Sequence, residues 1–368
     1  MKTALVLGGG FAGCTSAYFL NKKNFKVKLI EGGNNLGGGV WTNYYGDHPY
    51  TFGPRIFFSR KDSIIKHLTS MIEMREFFTK SWTYVEKDNK LYNYPIQYSD
   101  INQMPDSSQI NQELKNIKTK EISAENFEDY WISAIGERLY TKFVKDYSTK
   151  MWGIESNKQL VANFEWVNRG IPIRDGDNRL YQDQFQGYPK SLDGYNKYFS
   201  KSVENIEVHL NLKITKFDPD KREVYLSNGE KITADIIINT IHVDSLLDNI
   251  YGNLKYCGRD FIPLWLPSEF ALPENVTWIH YSGVEKHTRV TEFKKITNFN
   301  SKSTLLGIEI PSQNGRFYPV QSEPEIKKFN LYKKEFPKNF FSIGRLGKFV
   351  YQGIPEAIED SIELNKIV

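Results

Sequence analysis

Gly8-Gly9-Gly10-Phe11-Ala12-Gly13 has the residue types and spacing of a turn that can hold a pyrophosphate. Gly8 permits the tight turn, Gly10 lets the backbone approach phosphate oxygens, and Gly13 lets helix and strand pack closely. Phe11 and Ala12 open the helix that follows and belong to the same candidate binding turn. Glu31, eighteen residues past Gly13, is placed to accept hydrogen bonds from a ribose diol. Such a motif alone is weak evidence. Between two strands and ahead of an acid it becomes strong. None of the six histidines falls in a metal-like or triad-like spacing, and His287 reads as a surface residue.

The elements that must position this turn follow from the apolar pattern. Thr3–Leu7 reads as a buried parallel strand, 17–20 carries a helical pattern, and Lys26–Ile30 is a second strand ending at Glu31. Past Glu31, a second glycine cluster, Gly37-Gly38-Gly39, resembles the extension found in FAD-binding proteins of the glutathione-reductase type, and adds Gly38 and Gly39 to the cofactor set. At the far end, 231–240 and 340–343 read as strands. After the turn at Gly353, Ile354–Ile367 reads as a helix with Pro355 in its first turn. Gly353 and Ile354 open this helix, whose N-terminus would favour negative charge on a bound flavin. The expected architecture is α/β. A Rossmann-like FAD domain (1–60, 190–204, 231–257, 330–368) carries a mainly helical insertion (61–165). An antiparallel sheet domain (166–189, 205–230, 258–329) completes it. Within the helical part, 82–96 reads as an antiparallel excursion.

Composition bounds the function. With 368 residues, 40% hydrophobic and 25% charged, the chain suits two or three folded domains. A net charge of +4 does not predict a nucleic-acid coat, but it leaves room for a basic pocket. Cys14 and Cys257 are too few for a disulfide framework, so a reducing cytoplasm fits best. No apolar run approaches the roughly 20 residues of a membrane helix. The N-terminal stretch up to Cys14 loosely imitates a lipoprotein signal, but glycines 8, 9 and 10 interrupt it.

Several further strings resemble, in order and spacing, the UDP-galactopyranose mutase family. They are Gly53-Pro54-Arg55-Ile56-Phe57-Phe58, Tyr147-Ser148-Thr149-Lys150-Met151-Trp152-Gly153 and Ile171-Pro172-Ile173-Arg174. Further along stand Phe185-Gln186-Gly187-Tyr188-Pro189, Thr288-Arg289-Val290-Thr291-Glu292, Phe317-Tyr318-Pro319-Val320 and Gly344-Arg345-Leu346. The resemblance implies a flavoenzyme that interconverts pyranose and furanose forms of a nucleotide sugar without net redox change. Its reduced FAD attacks the anomeric carbon through N5 while the diphosphate leaves. It also implies a reductant such as NAD(P)H, a place in surface polysaccharide synthesis, and allows a homodimer. Arg174 and Arg289 match the two arginines that hold the substrate diphosphate, where a planar, always-charged guanidinium suits phosphate. Tyr147 and Trp152 match aromatic positions beside the nucleotide. Phe143, one turn before Tyr147, offers a stacking surface or a core stripe with equal weight. Tyr351 matches a diphosphate contact, Tyr318 the sugar end of the pocket, and Arg345 the cofactor-domain arginine after the last strand.

Five positions depart from that pattern. Arg55 and Phe58 replace two histidines, one of them beside the flavin in the family. Phe185 replaces a tyrosine whose hydroxyl is commonly aimed at phosphate, with Tyr181 as its substitute. Lys80 stands where an asparagine is usual, and Gly353 where an aspartate is usual. Arg55 is thus counted with the catalytic residues, and Phe185 and Lys80 with the substrate-binding ones. These changes imply a sugar other than galactose, on UDP, TDP or GDP. Two other readings stay open: an FAD oxidoreductase of the amine oxidase or desaturase type, and a non-catalytic nucleotide-sugar binder.

Overall fold

The computed structural model describes residues 1–117, 124–162, 173–176, 184–273 and 275–368. Ile171, Pro172 and Tyr181 lie outside the described residues.

A five-stranded parallel sheet carries the glycine turn, in the order Glu207–His209, Lys26–Ile30, Thr3–Leu7, Ile236–Asn239 and Phe340–Ser342. Its central strands are covered on both faces, which is why they are almost continuously apolar. Alternation along Thr3–Leu7 sends Ala4 and Val6 to one core and Leu5 and Leu7 to another. On the first face, helix Phe11–Lys22 lies against the last helix, Ile354–Ile367, with Ser16 Oγ and Ser361 Oγ 3.0 Å apart. On the second face lies a three-stranded antiparallel unit, Ile214–Asp218, Glu223–Leu226 and Lys231–Ile232. Phe217, Val224 and Leu226 from this unit pack with Leu5, Leu7 and Ile237.

A seven-stranded sheet forms the second large element. Its order is Tyr318–Pro319, Tyr256–Leu266, Thr304–Ser312, Arg289–Glu292, Trp278–Tyr281, Ser81–Val85 and Lys90–Tyr94. Its neighbours are antiparallel except for Trp278–Tyr281 beside Ser81–Val85. Helices Phe127–Ile135, Glu137–Tyr140 and Asp146–Trp152 cover one end, with a π-helical turn, Thr141–Lys145, between the last two.

Three segments sit elsewhere than the sequence boundaries predict. Residues 205–230 belong with the parallel sheet, as its edge strand and its covering antiparallel unit, because that sheet's second face needs apolar cover. The excursion at 82–96 is the hairpin predicted, but it extends the seven-stranded sheet beyond the helical part. Phe185–Pro189 joins neither: it pairs between Phe57–Ser59 and Met74–Glu76. Among the described residues, no helix is long and apolar enough to cross a membrane, and no three His, Cys, Asp or Glu side chains gather as a metal site.

Candidate functional site

One cavity of about 1180 Å³ opens between the parallel sheet, the seven-stranded sheet and the helices. Pockets for a single small ligand usually take about 300–1,000 Å³, so this one has room for more than one.

At the parallel-sheet end its walls include Gly8, Gly10, Phe11, Ala12, Glu31, Gly38 and Gly39. Gly8 has φ +97°, and Gly10 caps the first helix with no side-chain cap, leaving first-turn N–H groups for a ligand. A Cβ added at Gly10 or Gly38 would meet nothing within 4 Å, so both backbones face open space. Glu31 accepts from Gly9 N at 2.7 Å and from Gly33 N at 2.6 Å. These bonds close the turn, and a carboxylate has lone pairs left for a diol. Gly13 does not line the cavity: a Cβ there would run into the Gly8 carbonyl oxygen, so its role is close packing. The last helix aims at the same space, with Gly353 and Ile354 on the wall and Glu356 accepting from Gly353 N at 2.8 Å. Two helix N-termini and an exposed glycine backbone fit an anionic dinucleotide such as FAD.

In the middle, a row of directly opposed residues crosses the seven-stranded sheet: Phe261, Glu309, Arg289, His280 and Thr83. All five line the cavity. Opposed positions share a face, so pairing alone brings Arg289 onto Glu309. Arg289 Nε donates to Glu309 Oε1 at 2.7 Å and Nη2 to Oε2 at 2.8 Å. Burial opposes charge on both groups. Each is outweighed by the other, so the guanidinium is held above its ordinary value and the carboxyl below it. Among the described residues Nη1 makes no hydrogen bond. His280 accepts from Trp278 Nε1 at 2.8 Å, and burial, with Arg289 beside it, lowers it to about 3. It is a neutral spacer.

Around Tyr318 stand Arg55, Arg259 and Arg345. Arg55 donates to Gly39 O at 3.0 Å and to Phe52 O at 2.5 Å, while Tyr195 Oη holds the Arg55 carbonyl at 2.8 Å. Arg345 holds the Gln352 carbonyl next to the last helix and lies 4.8 Å over the Tyr318 ring and 5.1 Å over Tyr351. Tyr318 and Tyr351 stack at 5.9 Å, with Trp152 edge-on to both.

The helical end is walled by Phe143, Tyr147, Trp152 and Arg174, with Tyr94, Phe127 and Trp131. Phe143 packs in the helical core and also touches the cavity. Burial pushes the Tyr147 phenol up to about 12. Arg174 comes from a two-residue strand paired beside Ile96–Gln97.

Two expected substrate residues fall outside this wall. Phe185 turns onto Phe57 in its own small sheet and leaves Gln184 to the cavity, because adjacent residues of an extended chain face opposite ways. Lys80 points away, its carbonyl taken by Thr277 N and its ammonium 5.9 Å over the Trp82 ring. The sequence reading missed Arg259, Glu309 and His280. None has a local signature, and only strand register brings them to the site.

Residues 142–351 match the family described as UDP-galactopyranose mutase, and residues 6–72 match an NAD(P)-binding Rossmann-like domain. The chain is 25% identical over 382 residues to the dTDP-fucopyranose mutase of Escherichia coli, covering 99% of this chain and 97% of that one. It is 24% identical over 385 residues to a probable UDP-galactopyranose mutase of Klebsiella pneumoniae, covering 98% and 93%. The fold is shared with a crystal structure of reduced UDP-galactopyranose mutase at TM-score 0.84, with 16% identity over 100% of this chain and 96% of that one. The family match spans more than half of the chain, from the helices that carry Phe143 and Tyr147 to Tyr351 at the edge of the last helix, and so the chain belongs to the UDP-galactopyranose mutase family.

Proposed function

We propose that this isomerase interconverts the pyranose and furanose forms of a sugar carried on a nucleoside diphosphate, with reduced FAD in the glycine-lined end of the cavity. The observation that carries the reading is one continuous cavity that joins a dinucleotide cradle to an aromatic-walled end through a cluster of arginines. When bound, reduced FAD supplies a nucleophile for the anomeric carbon and undergoes no net redox change.

The chain's own residues bind, orient and stabilise charge. Gly8, Gly10, Phe11, Ala12, Gly38, Gly39 and Glu31 would hold the dinucleotide, and Gly353 and Ile354 would present the last helix N-terminus to its ring end. Charge of the right sign at such a terminus is favoured by roughly 0.3–1 kcal/mol. Arg174 and Arg289 hold the diphosphate and neutralise charge as it departs. Tyr147, Trp152 and Phe143 flank the nucleotide, and Tyr351 meets the diphosphate beside Arg345. Arg55 and Phe58 both line the cavity in place of histidines, and an apolar ring suits a sugar with fewer hydroxyls than galactose. A 6-deoxy sugar on TDP is therefore a leading substrate. NAD(P)H as the reductant and surface polysaccharide as the destination follow from the same reading.

The test is anaerobic incubation of dithionite-reduced protein with UDP-galactose, a TDP-linked 6-deoxy sugar and GDP sugars. A furanose product is expected from at least one of them, and only from reduced protein. Arg174→Ala and Arg289→Ala should each lower turnover about 10²–10³-fold, the usual effect of losing a charge-stabilising donor, while flavin absorbance is retained. Oxidation of an amine or alkene with no isomerisation would sink the reading.

A further inference from the structure

Tyr318 lies among three cations, with Glu309 as the carboxylate that acts on them from a distance. Arg55 bonds to the carbonyls of Gly39 and Phe52, Arg259 to those of Met151 (3.1 Å) and Gly258 (2.7 Å), and Arg345 to that of Gln352. Among the described residues none of the three makes an ion pair, whereas Arg289 has Glu309. Arg259 and Arg345 each lie 4.8 Å from the centre of the Tyr318 ring. The ring is 7% exposed, and its hydroxyl has no hydrogen-bond partner among the described residues. It lines the cavity between the dinucleotide cradle and the nucleotide end.

The geometry points to Tyr318 as a proton-exchanging residue: it gives up its phenolic proton readily while the cavity holds no substrate diphosphate, and takes a proton from solvent when the diphosphate of a nucleotide sugar covers the arginines. The inference rests on the diphosphate reading above and adds a residue to it. Every element packed against Tyr318 contributes to the balance. Cations come from the Gly53–Ile56 loop (Arg55), from strand Tyr256–Leu266 (Arg259), from strand Arg289–Glu292 (Arg289) and from helix Gly344–Gly347 (Arg345). Against them stands Glu309 on strand Thr304–Ser312, while Tyr351 and Trp152 contribute aromatic contacts. Burial alone would raise the phenol; Arg55, then Arg345 and Arg259, outweigh it and draw it down to about 8. A bound diphosphate cancels that pull, so its arrival is accompanied by uptake of a proton. The restored O–H then stands beside the leaving diphosphate as a donor at the moment that group gains charge. Sequence resemblance marks Tyr318 only as a pocket wall; the unpaired arginines make it a titrating group.

The test uses flavin-loaded protein. Without nucleotide, the ultraviolet tyrosinate band of the wild type should titrate by one residue near pH 8, and this step should vanish in Tyr318→Phe. The same step in both proteins would overturn the proposal, whatever the substrate proves to be. With UDP and TDP as probes, wild-type affinity should fall about tenfold per pH unit above pH 8, because binding takes up a proton. The terminal phosphate, which titrates near about 6, no longer contributes there. Tyr318→Phe should flatten that slope while Tyr351→Phe keeps it. Equal slopes in the wild type and Tyr318→Phe overturn the coupling. An early-titrating Tyr318 with no binding of UDP, TDP or GDP would overturn the coupling and the diphosphate reading together.

Discussion

Glu309 shows how a single residue can be decisive and invisible in sequence. It is one acid in an apolar strand, yet register sets it opposite Arg289, where it takes both Nε and Nη2. Removing one partner of a buried pair leaves an uncompensated charge, at a cost of about 3–5 kcal/mol. Glu309→Ala should therefore lower the unfolding free energy by about that much in urea titrations, and Glu309→Gln, which keeps a hydrogen-bond acceptor, by less. The pH dependence has a defined sign. The folded carboxyl sits below its ordinary value, so its contribution is complete above about pH 4.3 and is lost as acid titrates the folded group. The gap between wild type and Glu309→Gln should close at low pH. A Glu309→Ala protein as stable as the wild type would show that the pair contributes nothing. Among the residues the sequence singles out, Glu31, Arg289 and Tyr351 line the cavity and stand in motifs whose neighbours identify them. Arg259 and His280 line it without such a motif, while Lys80 and Phe185 keep motif positions but turn away from the cavity.

At the scale of elements, legibility followed locality. The glycine turn, its strand and its helix lie within one short segment, so Thr3–Leu7, Phe11–Lys22 and the last helix were readable from pattern alone. The edge strand Glu207–His209 was not, because three residues carry no period and its place depends on Lys26–Ile30. The row from Phe261 to Thr83 depends on five strands meeting in register. The glycine turn separates cofactor contact from packing in a paired experiment. At Gly10 a methyl group enters open space, so Gly10→Ala should cost the flavin-free protein about 1 kcal/mol or less, the usual range at a helix cap. The same change should weaken FAD binding, because on the proposed reading the methyl enters the space the pyrophosphate takes. At Gly13 a methyl collides with the Gly8 carbonyl, and Gly13→Ala should destabilise the flavin-free protein by about 1–3 kcal/mol. Thermal melts of both variants, with and without FAD, check the contrast. If Gly10→Ala binds FAD as the wild type does, the pyrophosphate does not lie against Gly10.

Across the whole molecule, the two walls of the nucleotide end come from elements far apart in the chain, and Lys150 joins them. Its ammonium, on the helix Asp146–Trp152, reaches the carbonyls of Tyr281, Gly283, Glu285 and His287 at 2.7–3.0 Å. Those carbonyls line the turn between Trp278–Tyr281 and Arg289–Glu292, so one side chain ties the helix of Tyr147 and Trp152 to the strand of Arg289. The ammonium has three protons for four carbonyls, and burial lowers its pKa, yet among the described residues these carbonyls accept from no other side chain. Hydrogen bonds to a charged group are worth about 1.5–3 kcal/mol each. Lys150→Met should therefore cost at least that much stability and let the two walls drift apart. On the proposed reading Tyr147 and Arg289 meet the nucleotide and its diphosphate, so UDP or TDP affinity should fall about tenfold or more in calorimetry. On the same reading FAD takes the opposite end, built by the parallel sheet, so its affinity should stay within about twofold of the wild type. Loss of both affinities together would mean that Lys150 supports the fold at large. Loss of neither would mean that the turn holds Arg289 in place without it.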